Sequence, residues 1–113
     1  MEIKTQDYSI QYDAETATIH WQGIMRLGTQ EYKPIMQFLE EIAALNPPKI
    51  VFNLRELNAL NSSGITTLGR FLFNVGRKQT IPLIIQATQD IAWQENSVKH
   101  FQKLVPKLQF EWE

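Results

Sequence analysis

KIVFNLRELNALNSSGITTLGR, residues 49–70, runs from an apolar strand through a serine-bearing turn into a helix, and the rest of the chain reads as support for that turn. Within Lys49–Leu54, the short and partly β-branched run Ile50, Val51, Phe52 predicts a strand covered on both faces. Arg55 to Leu60 reads as a polar connection. In Asn61-Ser62-Ser63-Gly64 a short polar side chain can accept hydrogen bonds from first-turn amides that otherwise lack partners, so a helix is predicted from Ser62 to about Arg77. Ile65, Leu68, Leu72 and Val75 recur at helical spacing and mark its buried stripe, while at about 100° per residue Thr66, Arg70, Asn74 and Arg77 point the other way. Phe73 falls on the flank toward Arg70 and Arg77. Gly69 and Gly76 lie beside the stripe, where the missing side chain lets the helix approach a sheet closely.

Upstream, Tyr8, Ile10 and Tyr12 alternate with polar residues, as do Ala17, Ile19 and Trp21 after the turn signal Asp13-Ala14-Glu15, which predicts an N-terminal β-hairpin. Gly23 to Gly28 reads as a connection. Thr29 is placed to cap a helix with Glu31 and Pro34 in its first turns and Ile35, Phe38, Leu39, Ile42 and Leu45 on one face; Asn46-Pro47-Pro48 ends it. Downstream, Lys78-Gln79-Thr80 leads to a strand over Ile81–Ala87, with Pro82 near its start where a missing amide donor is tolerable. Asp90 is placed to cap a last helix through Leu104 that buries Val98, Phe101 and Leu104 or Val105, although Trp93 to Ser97 reads irregularly and breaks the pattern. Pro106 stops it, and Leu108, Phe110 and Trp112 alternate as a final strand. The order ββαβαβαβ predicts an α/β fold with a mostly parallel sheet, helical crossovers, and only the first strand antiparallel.

Length and composition narrow the function. A chain of 113 residues supports one core, so residues 1–113 are expected to form a single domain. A formal net charge of -1 with no basic block gives no electrostatic reason to expect nucleic-acid binding. Absence of cysteine excludes disulfides, thiolate nucleophiles and cysteine-based zinc sites. The N-terminal MEIKTQDYSI lacks a signal-peptide core, and no apolar run approaches the roughly 20 residues that span a bilayer, so a cytoplasmic protein without membrane insertion is expected. His20 and His100 lie on separate elements without a neighbouring acidic pair, which argues against a metal site or a Ser-His-Asp triad. Gly64 to Arg70 imitates a phosphate-binding loop but lacks its Lys-Ser/Thr ending.

The strand, loop, Asn61-Ser62-Ser63-Gly64-Ile65 and helix, with Leu68-Gly69-Arg70 inside that helix and Ile81 to Ile85 as the next strand, resemble the STAS domain, the family of anti-sigma-factor antagonists and of the cytoplasmic tails of sulfate transporters. The resemblance covers most of the chain and implies a single-domain STAS-like fold. Family members usually carry Asp where this chain has Asn53 and Asn61. By the family's register the serine after the Asp-equivalent position is the phospho-acceptor, which implies Ser62, with Ser63 as the alternate. A serine at a helix N-terminus lies near unpaired amides and the positive end of the helix dipole, an environment that favours an anion by roughly 0.3 to 1 kcal/mol at an exposed site. The structural alternative is that Asn61, Ser62 and Ser63 serve as caps alone.

The resemblance implies a non-enzymatic partner-switching protein with no cofactor. Unmodified, it would bind an anti-sigma factor or serine protein kinase through Asn61, Ser63, Gly64, Thr66, Arg70, Phe73 and Arg77; phosphorylation of Ser62 would break the complex, and a PP2C-type phosphatase would restore it. The rival expectation is a constitutive, unphosphorylated interaction module for a transporter or signalling complex, in which Asn61 reports loss of the phosphorylation chemistry. Phe73 between two arginines suits a binding patch, since aromatic and Arg side chains are enriched at interface hot spots. It equally suits packing beneath a loop.

Overall fold

A computed structural model describes all residues from Met1 to Glu113. Six strands lie side by side in chain order: β1 (Glu2–Lys4), β2 (Tyr8–Asp13), β3 (Thr18–Met25), β4 (Ile50–Leu60), β5 (Leu83–Ala87) and β6 (Gln109–Trp112). β2 pairs antiparallel with both neighbours, whereas β3 to β6 are mutually parallel. The expected hairpin is thus present, and its first strand alone runs against the sheet. α1 (Lys33–Ala44, after a 3₁₀ turn at Thr29–Tyr32), α2 (Ser62–Gly76) and α3 (Ala92–Leu104) are the three crossovers. Because the parallel strands advance in one direction across the sheet, right-handed connections put all three helices on the same face, with α2 between α1 and α3.

That placement changes the expectation of a strand covered on both faces. Ile10, Ile19, Trp21, Phe52 and Ile85 join the helices in one core, while the opposite face carries the cross-strand row Gln11, His20, Asn53 and Gln86. Inside the core Phe52 meets Trp21 edge-on at 5.4 Å and lies nearly parallel to Phe71 at 5.8 Å between ring centroids. Leu68, Leu72 and Val75 face this core as expected; Phe71 joins them, and Ile65 is only half-buried.

Several boundaries differ from the sequence expectation. Arg55–Leu60 is not a connection but the second half of β4, which carries two extra residues relative to β3. Each bulge shifts the inward register by one, so the buried residues fall at Phe52, Leu54, Leu57 and Leu60 and the two-residue period is lost. Nor do the residues from Gly23 onward leave the sheet at once: β3 continues to Met25, and Gly23, at φ 97°, lies against the Asp7 carbonyl, where a side chain would collide. β1 was not expected. Gly28, rather than Thr29, precedes the first helical turn, and the fifth strand starts at Leu83, after Pro82.

α3 is continuous through Trp93–Ser97 and starts after Ile91 rather than with Asp90 as its cap. The irregular pattern there has a specific cause. β5 pairs with β4 only as far as Asn53, leaving later β4 carbonyls without a strand partner on that side. Gln94, fully buried, donates to the Leu54 and Leu57 carbonyls and accepts from the Thr88 amide, while Trp93 Nε1 donates to Leu57 O at 2.8 Å. Two polar atoms on α3 thus complete a strand edge, as burial of backbone carbonyls demands. Arg55 ties the same region to the ends of β5 and β6 through the Ala87 and Glu111 carbonyls. Gly69 contacts Leu104 and Phe101 of α3, not the sheet; Gly76 lies against both Val105 and the sheet residue Leu83. Val105 is buried and Leu104 is not.

Candidate functional site

The turn at Asn61 lies at the carboxyl end of β4, beside that of β3, the edge of an open α/β sheet where binding sites gather. Its floor is fixed by Asn61. Asn61 Oδ1 accepts from the Gly64 amide at 3.1 Å and from the Tyr32 hydroxyl at 2.6 Å, while Nδ2 donates to Leu27 O at 2.8 Å. Its own amide donates to Met25 O. A carboxylate could accept the first two bonds but not make the third, and it would face the Leu27 carbonyl oxygen. Asn61 therefore combines a helix cap with a donor that ties α2 to the segment after β3.

Tyr32 is 2% exposed, and burial pushes its hydroxyl above the ordinary tyrosine range. Gly64 is also buried. A Cβ there would sit 2.6 Å from the Tyr32 hydroxyl and would collide with Leu60, so the glycine serves close packing. Of the residues expected to bind a partner, Gly64 thus lies beneath the surface, and Asn61 is largely engaged internally. Asn53 is structural in the same sense: its Oδ1 accepts from the Arg55 amide at the first β4 bulge.

Above this floor the chain is open. Ser62, Thr66, Arg70, Phe73 and Arg77 are exposed and form one ridge along α2. Ser63 is half-buried, its Oγ 3.5 Å from Thr29 Oγ1, and its carbonyl accepts from the Thr67 hydroxyl at 2.8 Å. Ser62 is therefore the more accessible of the two hydroxyls, and the capping function belongs to Asn61. On one side of the ridge, a cleft of about 500 Å³ opens between the start of α1 and α2. Thr29 and Lys33 form one wall, Ser62, Thr66 and Arg70 the other, and no acidic residue lines it. On the other side a shallower groove of about 370 Å³ separates α2 from α3, lined by Ile65, Gly69, Phe73 and Leu104 with Arg70 and His100 at its margins. Thr66 and Arg70 border both depressions.

Sequence reasoning did not find Tyr32, Leu27, Lys33, His100 or Leu104 as parts of this region. They reach it from other elements, and no local pattern at those positions signals the contact. His20 lies on the uncovered sheet face, on a different element from His100.

No family model matches the chain, and no curated protein matches it. Solved structures from Pseudomonas aeruginosa do. A chain in the complex of the diguanylate cyclase SiaD with its activator SiaC aligns at TM-score 0.75 and 16% identity, over 100% of this chain and 99% of that one. SiaC itself aligns at TM-score 0.71 and apo-SiaC at 0.73, each at 16% identity over 100% of this chain and 98% and 97% of theirs. At this identity the likeness establishes the fold alone: a single α/β domain with a mostly parallel six-stranded sheet, an N-terminal hairpin and three helices.

Proposed function

We propose that this chain is a non-enzymatic regulatory protein that binds a signalling partner through the Ser62 turn and the exposed ridge of α2, and that phosphorylation of Ser62 releases that partner. The observation that carries the reading is the contrast at the turn: Asn61 is fastened by three side-chain hydrogen bonds while its neighbour Ser62 is exposed at the helix N-terminus, beside a cleft without acidic residues. A phosphate there finds a helix N-terminus to tolerate it, and adds about -1.5 to -2 charges to a surface that a partner must cover. A hundredfold loss of affinity requires only about 2.7 kcal/mol.

The STAS resemblance supplies the partner classes, an anti-sigma factor or serine protein kinase and a PP2C-type phosphatase, and with them roles in signal transduction, transcription regulation and the cytoplasm. SiaC, which shares the fold, is the activator of a diguanylate cyclase; a signalling enzyme is thus a further partner class for this chain. A second reading, a constitutive interaction module, is favoured by one observation: residue 61 is an asparagine whose side-chain Nδ2 is committed to Leu27 O, and it puts no carboxylate beside Ser62 to assist a kinase. Crosslinking in the native cell, followed by quantitative identification of partners, tests the choice. The switch expects the same partner on the wild type and Ser62→Ala, and loss of it from Ser62→Asp. Equal recovery on all three variants supports the constitutive module instead.

A further inference from the structure

The ridge of α2 carries an asymmetry that extends onto α3. α2 holds Arg70, with Arg77 at its C-cap, and no acidic residue; α3 holds Lys99, His100 and Lys103 against Glu95, which pairs with Lys99 at 3.9 Å, in a chain whose formal net charge is -1. Of the basic residues on the two helices, Arg70 and His100 line the groove between them, and no acidic residue does. Between the helices, Phe73 at 45% and Leu104 at 38% exposure are two of the five exposed large hydrophobic residues of the chain, and both line the same groove with half-buried Ile65. Gly69 at its base leaves a trough, because a Cβ there would already be 3.2 Å from Leu104.

The geometry points to this α2–α3 groove as the docking site for an acidic amphipathic helix of a protein partner. Resting on the reading of α2 as the binding surface, this names the partner's chemistry. The apolar floor requires burial of Phe73 and Leu104 by apolar anchors. From Ile65 to Phe73 the groove extends roughly 12 Å at 1.5 Å per residue, which matches two turns of an incoming helix with anchors at i, i+3 or i+4, and i+7. Arg70 and His100 at the margins, with no acidic residue in the lining, select acidic residues on the flanks of that helix, since a basic flank placed against Arg70 would be repelled. Two parallel ridges with a trough between them are also the surface against which a third helix packs.

Selection of a random helical peptide library displayed on phage against the whole protein, with counter-selection on Phe73→Asp, tests the assignment. Near-ultraviolet circular dichroism first establishes that the variant is folded; Leu104→Glu serves in its place if it is not. The expected result is enrichment of net-acidic peptides with apolar residues at i, i+3 or i+4, and i+7, which bind the wild type about tenfold or more tighter than Arg70→Glu. Enrichment of neutral or basic peptides, peptides that fail to distinguish the wild type from the groove variants, or no enrichment at all would overturn it. Phosphatidylglycerol vesicles form a second arm: binding to them that is abolished by Phe73→Asp assigns the face to a membrane surface and rejects the helix. Peptide docking without any phosphate on Ser62 leaves the groove standing and the switch failed, and phosphate on Ser62 without docking does the reverse.

Discussion

The floor of the Asn61 turn and the ridge of α2 come from one short segment, yet they are built by opposite rules. On the floor, each group has a partner: Asn61 bonds Gly64, Tyr32 and Leu27, and Gly64 is small because Leu60 and the Tyr32 hydroxyl occupy the space above it. On the ridge, Ser62, Thr66, Arg70, Phe73 and Arg77 remain exposed, and Phe73 presents apolar area to water. The difference teaches where stability ends and recognition begins. Residues that fix the helix start face β3, β4 and the Thr29–Tyr32 turn; residues one step round the helix are free to be modified or covered without disturbing that support.

The largest effect should come from the core side of α2. Leu68→Ala, at a fully buried position, is expected to cost about 2–5 kcal/mol through lost burial and the cavity left behind, read as a lower urea midpoint at unchanged slope. Its neighbour Thr67→Ala should be nearly silent, because the hydroxyl only back-bonds to the Ser63 carbonyl within the helix. Equal losses for the two would erase the distinction between the faces.

Asn61→Asp comes next. It keeps both accepted bonds, removes the donor to Leu27 O and leaves that carbonyl facing a carboxylate, so about 1–3 kcal/mol should be lost in the same titration. A gain of stability would show that the residue usual in the resembling family is also the better fastener here, contrary to the geometry. Tyr32→Phe is expected to cost about 1 kcal/mol at neutral pH through its bond to Asn61. Its pH dependence has a definite sign. Burial raises the folded-state value of Tyr32 above the unfolded one near 10, so its contribution is full below about pH 10 and disappears as pH rises through the folded value. Thermal melts across that range should therefore fall less steeply for Tyr32→Phe than for the wild type.

The smallest change is expected on the ridge. Ser62→Ala should lie within about 0.5 kcal/mol of the wild type, since Asn61 rather than Ser62 caps the helix. A loss of the size seen for caps, about 1 kcal/mol, would move Ser62 from the open side to the fastened side.

How legible this was depended on distance along the chain. The turn and α2 were readable because their signals are local: an Asx cap, a glycine, and apolar residues at helical spacing within Asn61–Gly76. The second half of β4 was not, because its two bulges convert an alternating strand into Leu54, Leu57, Leu60, every third residue, which imitates a connection with scattered leucines. Gln94 was equally opaque. A glutamine inside an irregular helical stretch gives no hint that it finishes a strand edge 40 and 37 residues earlier. The α2–α3 groove was also hidden, since Ile65, Arg70 and Phe73 meet His100 and Leu104 only when α2 and α3 pack side by side.

Intact-mass analysis of the protein purified from its native cells, with fragment mapping of any increment of about 80 daltons, the mass of an added phosphate, tests the central claim most directly. A single increment on Ser62, in a fraction that changes with growth condition and is absent from Ser63, is the predicted result. An unmodified chain under every growth condition, or an increment confined to Ser63 beside Thr29, would contradict the account.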